Sequence, residues 1–133
     1  MPNNIKISEK THIAVKLLSG LAKSKNGRPI SISEIAVKEG LSFYFLQTIT
    51  QPLKKHGLIK SSRGSQGGYQ LTKSPNRISL KEICEAVEGP ISLINCNQHK
   101  FCQNQTCHSR SIWQKVNKQI EQILSQTKLS NIS

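Results

Sequence analysis

The stretch SISEIAVKEGLSFYFLQTIT, residues 31–50, predicts two short helices separated by a tight turn. Ser31 and Glu34 have the S-x-x-E spacing of a capping box, which satisfies free backbone N–H groups at the start of a helix. Gly40 suits the left-handed residue that ends a helix, and Ser42 is the expected N-cap of the helix that follows. Two short helices joined by such a turn are typical of a helix-turn-helix.

A basic hairpin is predicted directly after the second helix. Two short runs with apolar residues, 58–60 and 69–72, flank a glycine-rich tip, which is the pattern of two strands and their turn. Arg63 lies at this tip, and Lys60 and Lys73 flank it. A helix-turn-helix followed by a basic hairpin predicts the winged-helix arrangement.

Further helices are predicted on both sides of this unit. Residues 8–23 carry apolar side chains at helical spacing. Ser79 and Glu82 form a second capping box. Cys84 follows on the apolar face of that helix and is expected in the core, because free cysteine is among the most buried residue types.

A long last helix is predicted from about residue 109 to residue 126, with a stripe formed by Ile112, Val116, Ile120, Ile123 and Leu124. A small winged helix cannot cover a helix of this length, so we expect a second copy of the chain to cover the stripe as a homodimer. The sequence therefore predicts a mostly α fold with a small β-wing. A winged helix-turn-helix region spans residues 1–79, and a cysteine loop and dimerisation helix span residues 80–133, packed as one compact domain.

The chain carries an excess of positive charge. It has 19 Lys and Arg residues against 7 acidic residues, none of them Asp, for a net charge of +12. Residues 1–79 hold 13 of these cations and 3 of the acids, so the excess lies mainly in the winged-helix region. Such a surface attracts polyanions, which predicts double-stranded DNA as the partner. The lack of Asp and of any paired-carboxylate or Ser-His-acid pattern argues against an enzyme.

Neither a signal peptide nor a membrane span is indicated by the sequence. The N-terminal MPNNIKISEK lacks the apolar centre of a signal peptide, and no run of about 18 apolar residues occurs. We therefore expect a cytoplasmic protein without a membrane partner, in which cysteines bind metals or undergo redox chemistry rather than form disulfides.

The second helix of the pair carries polar side chains off its apolar stripe, where a recognition helix reads base edges. Gln pairs bidentately with adenine and Thr contacts the thymine methyl, whereas lysines hold phosphates and an arginine at the wing tip suits a narrow minor groove. Pro52 predicts a bend or an early end of this helix. The candidate DNA-binding residues are Ser42, Tyr44, Gln47, Thr48, Gln51, Lys54, Lys55, Lys60, Arg63, Gly67 and Gly68.

Three of the four cysteines lie in a polar loop before the last helix, within NCNQHKFCQNQTCHSRSIW, residues 95–113. Cys96, Cys102 and Cys107 have the spacing C-x5-C-x4-C. Zinc prefers cysteine pairs about two to four residues apart, whereas an iron–sulfur cluster is bulkier and can be bound by thiolates on a long loop. The spacing leaves a cluster, zinc and metal-free redox thiols open. The candidates for a fourth ligand are His12, His99, His108 and a group from outside the chain.

Four segments resemble the IscR/NsrR superfamily of bacterial winged-helix transcription regulators. They are the wing RGSQGGYQL (Arg63–Leu71), the helix pair EIAVKEGLSFYFLQ (Glu34–Gln47), the segment LKEICEAVEG (Leu80–Gly89) and the cysteine loop ending in Trp113. The likeness implies a regulator, expected to be a repressor, that binds DNA as a dimer through helix and wing. It also implies a 2Fe–2S or 4Fe–4S cluster in the loop that senses cluster or iron status, nitric oxide or oxidants.

The loop departs from the pattern of this superfamily in two places. Its second gap has four residues where five are more common, and the position of a histidine ligand in IscR-like members is Arg110, which cannot ligate. In NsrR-like members the N-terminal helix of the partner subunit supplies the ligand, and that position aligns with His12. The resemblance favours an iron–sulfur cluster held by the three loop cysteines with His12 or His108 as fourth ligand, and zinc is the alternative.

Overall fold

The computed structural model describes residues 8–24, 27–63, 67–91 and 108–131. Short 3₁₀ turns follow the second strand and the last helix, at Pro75–Arg77 and Leu129–Asn131. The mostly helical chain with a small two-stranded wing confirms the predicted fold class. The helices and strands, in chain order, are α1 (Glu9–Ala22), α2 (Ile32–Glu39), α3 (Phe43–Lys55), β1 (Ile59–Ser62), β2 (Gly68–Leu71), α4 (Leu80–Glu88) and α5 (His108–Gln126).

Side-chain caps set the ends of the helix pair, as predicted. The Ser31 hydroxyl accepts a hydrogen bond from the Glu34 N–H at 3.1 Å, and the Ser42 hydroxyl accepts one from the first turn of α3 at 3.3 Å. Gly40 ends α2 in the left-handed conformation, with φ 66°. The complete capping box with both reciprocal bonds forms at Ser79 of α4, whereas at α2 the described residues show the serine bond alone.

Helix α3 continues past Pro52 for three residues to Lys55, so the early end that the sequence suggested is not observed. Proline lacks the N–H that would bond to the Thr48 carbonyl. One bond is lost, but Pro52 lies in the last turn, and the neighbouring Leu53 is fully buried. Packing of Leu53 therefore holds the final turn in helical conformation.

The wing approaches the segment before α2 so closely that one position admits only glycine. The strands β1 and β2 pair antiparallel, with Ser62 opposite Gly68. The backbones of Tyr69 and Ile30 exchange two hydrogen bonds, at 3.0 and 2.8 Å. A Cβ atom on Gly68 would lie 2.5 Å from the carbonyl carbon and oxygen of Ile30, far inside van der Waals contact.

Gly68→Ala is expected to destabilise the protein by roughly 2–3 kcal/mol, because its methyl group collides with backbone rather than with a movable side chain. The matched control, Gly20→Ala, adds the same methyl group inside α1. Its Cβ would lie 3.9 Å from Ile35, an ordinary contact, and alanine favours a helix interior by about 0.5–1 kcal/mol over glycine. Chemical denaturation followed by circular dichroism measures both variants, and equal stability would contradict the close approach at Gly68.

One hydrophobic core joins the elements on both sides of residue 79. Cys84 is 4% exposed, which confirms its predicted place in this core. Burial raises the pKa of the Cys84 thiol, and the nearby carboxylates of Glu88 and Glu85 raise it further, so this sulfur stays protonated at neutral pH. The largest fully buried side chains include Leu17, Leu18, Ile35, Leu46, Ile49, Leu53, Ile59, Ile78, Ile83 and Leu129.

The C-terminal turn returns to the segment between the wing and α4. The Leu80 N–H donates to the Thr127 carbonyl, and the Leu129 N–H donates to the Ile78 carbonyl, both at 2.8 Å. Leu129 is 1% exposed. The end of α5 is therefore fixed to the winged-helix region by backbone hydrogen bonds and by a buried side chain.

Some side chains of the apolar stripe of α5 are half-buried and others are exposed, a difference that the sequence pattern does not show. Helix α5 packs against α4, and its Ile120 and Leu124 are half-buried. Ile112 and Ile123 lie on one face about three turns apart, and they are 60% and 63% exposed. None of the helices that the described residues form is both long enough and apolar enough to cross a lipid bilayer.

Candidate nucleic-acid interface

One face of α3 is polar and open to solvent. The side chains of Leu46, Ile49, Thr50 and Leu53 are buried on the other face of the helix. Residues at three- and four-residue spacing lie on one side of a helix. The structure therefore brings the predicted base-reading residues onto one exposed surface, which carries Tyr44, Gln47, Thr48, Gln51 and Lys55.

Contacts within α3 hold Tyr44 and Thr48 in place on this surface. The Tyr44 ring packs edge-on against the half-buried Phe43 ring, with centroids 5.6 Å apart, and Tyr44 stays 78% exposed. The Thr48 hydroxyl donates to the Phe45 carbonyl at 2.6 Å, which fixes its rotamer. Both side chains are thus positioned in the free protein, so less conformational freedom is lost when a ligand binds.

The wing is joined to α3 by a lysine. Lys54 Nζ donates to Ser61 Oγ at 3.1 Å, which places this cation between α3 and β1. Arg63 follows β1 and is exposed, while residues 64–66 at the tip lie outside the described residues. Lys60 is next to Ser61 in the strand and so points to the opposite face of the wing. Of the predicted phosphate-binding lysines, Lys54 and Lys60 therefore lie at opposite faces of the wing.

Two of the predicted DNA-binding residues have roles in the fold. Ser42 caps α3, and Gly68 allows the wing to approach Ile30. Gly67 is the first described residue after the tip and is half-buried. Contact of these three residues with DNA stays a prediction.

The cysteine loop connects the end of α4 to the start of α5. Cys96, Cys102 and Cys107 fall within residues 92–107, outside the described part of the chain. His108 is the first residue of α5 and is exposed. Across residues 8–24, 27–63, 67–91 and 108–131, no three His, Cys, Asp or Glu side chains form a metal-binding group. A metal site of this kind would therefore need ligands from outside these ranges.

The start of α1 meets the end of α4 next to this loop. The Glu88 carboxylate accepts hydrogen bonds from the hydroxyl groups of Ser8 and Thr11, the latter at 3.4 Å. Thr11 is 1% exposed, whereas the next residue, His12, is exposed. His12 therefore lies on the turn of α1 that contacts the residue before the loop, with its own side chain open to solvent.

Arg110 lies in the first turn of α5, close in sequence to Cys107. Its Nε atom is buried and has no hydrogen-bond partner among the described residues. A positive charge at a helix N-terminus opposes the helix dipole. An anionic group at this end of α5 would therefore be favourable.

The sequence matches known transcriptional regulators along nearly its whole length. Residues 7–133 match the sequence profile of Rrf2, an iron-dependent transcriptional regulator. The chain belongs to the Rrf2 family. It is 30% identical to the HTH-type transcriptional regulator CymR of Bacillus subtilis, over 97% of this chain and 90% of CymR. It is 26% identical to IscR of Pectobacterium carotovorum, over 96% of this chain and 79% of IscR.

Solved structures of Rrf2 relatives have the same fold. CymR (YrzC), the global cysteine regulator of B. subtilis, superposes with a TM-score of 0.81 at 30% identity, over 97% of this chain and 96% of CymR. T. potens IscR superposes with a TM-score of 0.76 at 32% identity, over 97% of this chain and 86% of IscR. This Rrf2 protein is therefore a DNA-binding transcriptional regulator, which confirms the prediction of a regulator rather than an enzyme.

One cation beside the wing of this Rrf2 protein was not singled out from the sequence. Arg28 lies in the polar segment between α1 and α2, and the structure places it with Lys60 around one cleft. A single arginine in the polar segment SKNGRP belongs to no helical or strand pattern, so nothing in the local sequence marks it as part of a site. Pairing of Ile30 with Tyr69 brings this segment to the wing, and such a long-range pairing is not visible in a local pattern.

Proposed function

We propose that this Rrf2 protein is a cytoplasmic, homodimeric repressor that binds double-stranded DNA through α3 and the wing. An iron–sulfur cluster in the cysteine loop controls its affinity for DNA. The observation that carries the DNA-binding part is the polar face of α3, beside a wing with a basic tip. Gln47 and Gln51 read base edges, Lys54 and Lys55 bind phosphates, and Arg63 enters a narrow minor groove.

The donor set of the loop supports a cluster. Three thiols in a polar loop offer the sulfur ligands that iron–sulfur clusters prefer, and the Rrf2 profile describes an iron-dependent regulator. The fourth thiol, Cys84, is buried and protonated and so is not available as a ligand. The guanidinium of Arg110, whose buried Nε has no hydrogen-bond partner among the described residues, would offset the negative charge of thiolates near the start of α5. His12 of one protomer or its partner, or His108, completes the ligand set.

When bound, such a cluster supplies a centre that gains or loses electrons and reacts with oxidants or nitric oxide. The chain contributes thiolate ligands, a nearby cation and a connection to the DNA-binding unit. That connection is short, because Glu88 accepts hydrogen bonds from the start of α1, and α1 packs against α2 and α3. A conformational change in the loop would therefore act next to the core that positions α3.

The homodimer is supported by the exposed apolar face of α5. Ile112 and Ile123 are large apolar side chains that a monomer leaves in water. In a two-fold dimer the same two side chains of both protomers would be buried. The two-fold axis would also place two recognition surfaces on one DNA duplex.

A second candidate function is a regulator without a cluster, bound to zinc or controlled by thiol oxidation, a small molecule or a protein partner. The similarity to CymR, named as a global cysteine regulator in B. subtilis, favours this candidate. Iron and acid-labile sulfide content of protein purified without oxygen separates the two, because a zinc-bound or metal-free regulator contains neither.

Gln47→Ala is expected to change the preferred base at one position of each half-site, because a bidentate pair discriminates by about 1–3 kcal/mol.

Lys54→Ala is expected to weaken binding to all sequences alike, because a phosphate contact carries no sequence information. In the proposed homodimer the contact is lost from both subunits, so the slope of log K against log salt would also fall by about 1.8, at about 0.9 for each contact. An operator selected from a randomised duplex pool, then titrated as a panel of single-base changes at two salt concentrations, measures both effects.

The matched control is Lys118→Ala, which removes an exposed cation from α5, away from the proposed surface. It should leave both the base preferences and the salt slope unchanged. If Gln47→Ala lowers affinity uniformly across the panel, then α3 does not read bases at this position.

A further inference from the structure

A cleft of about 370 Å³ lies between the end of α1, the segment before α2 and the wing. Its walls include the apolar side chains of Leu21, Leu71 and Pro75, and its cations are Arg28, Lys60 and Lys73. Ligand pockets typically have volumes of roughly 300–1,000 Å³ and combine apolar walls with a few polar groups. The cleft has the size and the mixed lining of a small-molecule site.

Hydrogen bonds hold the Arg28 segment against the wing. The Gln70 side-chain amide on β2 donates to the Gly27 carbonyl, and the Ser24 hydroxyl donates to the Arg28 carbonyl. The Ile30–Tyr69 backbone pair follows directly. The backbone that carries Arg28 is thus fixed on both sides of this residue, and the guanidinium group is presented next to the strand that carries Lys60.

The positive charge of the cleft is only partly compensated. Lys73 forms an ion pair with Glu82 at 2.9 Å. Arg28 and Lys60 are exposed and form no ion pair with any described residue, and none of the described residues that line the cleft is acidic. Two cations that converge on one concave surface without a carboxylate attract an anion.

We propose that this cleft binds a small organic anion, a phosphate monoester or carboxylate on a short apolar body. The planar guanidinium of Arg28 matches two oxygens of such a group, Lys60 adds a second charge, and the apolar walls contact the body of the ligand. A bound anion would connect the segment before α2 to the far face of the wing, opposite the face where Lys54 contacts Ser61. This site is independent of the cysteine loop and of any metal.

A DNA phosphate is the other source of the same oxyanion chemistry. A phosphate of a duplex would use the cations but not the apolar walls, whereas a small ligand uses both. Three probes separate these contributions. Phenyl phosphate carries both the anionic group and an apolar body, inorganic phosphate carries the charge alone, and phenol carries the apolar body alone. Calorimetric titration of the full-length protein is expected to show phenyl phosphate binding at least ten-fold more tightly than either fragment.

Two variants test the assignment of residues. Arg28→Gln removes one charge from an exposed side chain and is expected to weaken phenyl phosphate binding by roughly ten-fold. Ser74→Phe places a ring in the cleft from an exposed position and is expected to abolish binding. Neither variant should change the circular dichroism spectrum or the salt slope for a random-sequence duplex, and Lys38→Gln on α2 is the control for loss of a surface charge.

Inorganic phosphate that binds as tightly as phenyl phosphate would overturn the proposal, because the apolar walls would then contribute nothing. So would unchanged phenyl phosphate affinity in Ser74→Phe, or no binding of any probe. A salt slope reduced by about two in Arg28→Gln, one contact for each subunit of the dimer, without loss of phenyl phosphate binding, would assign the cations to the DNA backbone instead. None of these results depends on iron, so they are distinct from a failure of the cluster proposal.

Discussion

Cys102→Ala is expected to remove all iron and acid-labile sulfide from protein purified without oxygen. The loop supplies three thiolates, and a cluster that loses one of them keeps too few sulfur ligands to stay bound during purification. The brown colour that thiolate-bound iron gives should disappear as well. Iron and sulfide analysis together with visible absorption measures the loss, and Cys96→Ala and Cys107→Ala should behave in the same way.

Cys84→Ala is the matched control for these variants. It removes a thiol of the same chain, but one that is 4% exposed and whose pKa is raised by burial. Iron content should therefore be unchanged, while the free energy of unfolding falls by about 1 kcal/mol from lost packing. Stoichiometric zinc in a colourless wild-type preparation would contradict the cluster. In iron-loaded protein, His12→Ala and His108→Ala show which histidine slows the loss of iron to a chelator.

Ile123→Glu is expected to convert the proposed homodimer to a monomer. The side chain is 63% exposed in the single chain, so the change leaves the core of each protomer intact. In a two-fold interface it would place two unpaired carboxylates in an apolar contact, each at a cost of several kcal/mol. The dissociation constant should rise by roughly 1,000-fold or more, since each ten-fold corresponds to about 1.4 kcal/mol.

Sedimentation at several protein concentrations measures this change. Gln122→Glu is the control, because it adds the same charge at the adjacent position, on a side of α5 that is exposed and polar. Ile120→Glu is a poorer test, because Ile120 is half-buried within the protomer and its replacement disturbs folding as well as association. An unaltered dimer in Ile123→Glu would exclude this face of α5 from the interface.

Local signals made most of the fold predictable. Ser31, Gly40, Ser42 and Ser79 act on backbone groups within one turn, so their roles can be recognised in a short window of sequence. The place of Cys84 followed from periodicity for the same reason. The continuation of α3 past Pro52 was not predictable in this way, because it depends on burial of Leu53 by residues distant in the chain.

Contacts between distant segments explain what the sequence did not show. Gly68 was among the predicted DNA-binding residues, yet its close approach to the Ile30 backbone is what requires a glycine. The stripe of α5 looked uniform in sequence, but packing against α4 covers Ile120 more than Ile123. The roles of the loop cysteines stay a prediction, because they lie outside the described residues.

The return of the C-terminal turn to the segment after the wing has a consequence for the geometry of the operator. Because Leu129 and Thr127 fix the end of α5 to residues 78–80, α5 cannot pivot freely relative to α3. Two chains paired along α5 would then hold their recognition helices at one separation and one relative angle. Such a dimer would select binding sites by the length of the spacer between half-sites, about one turn of DNA or a multiple of it, before any base is read.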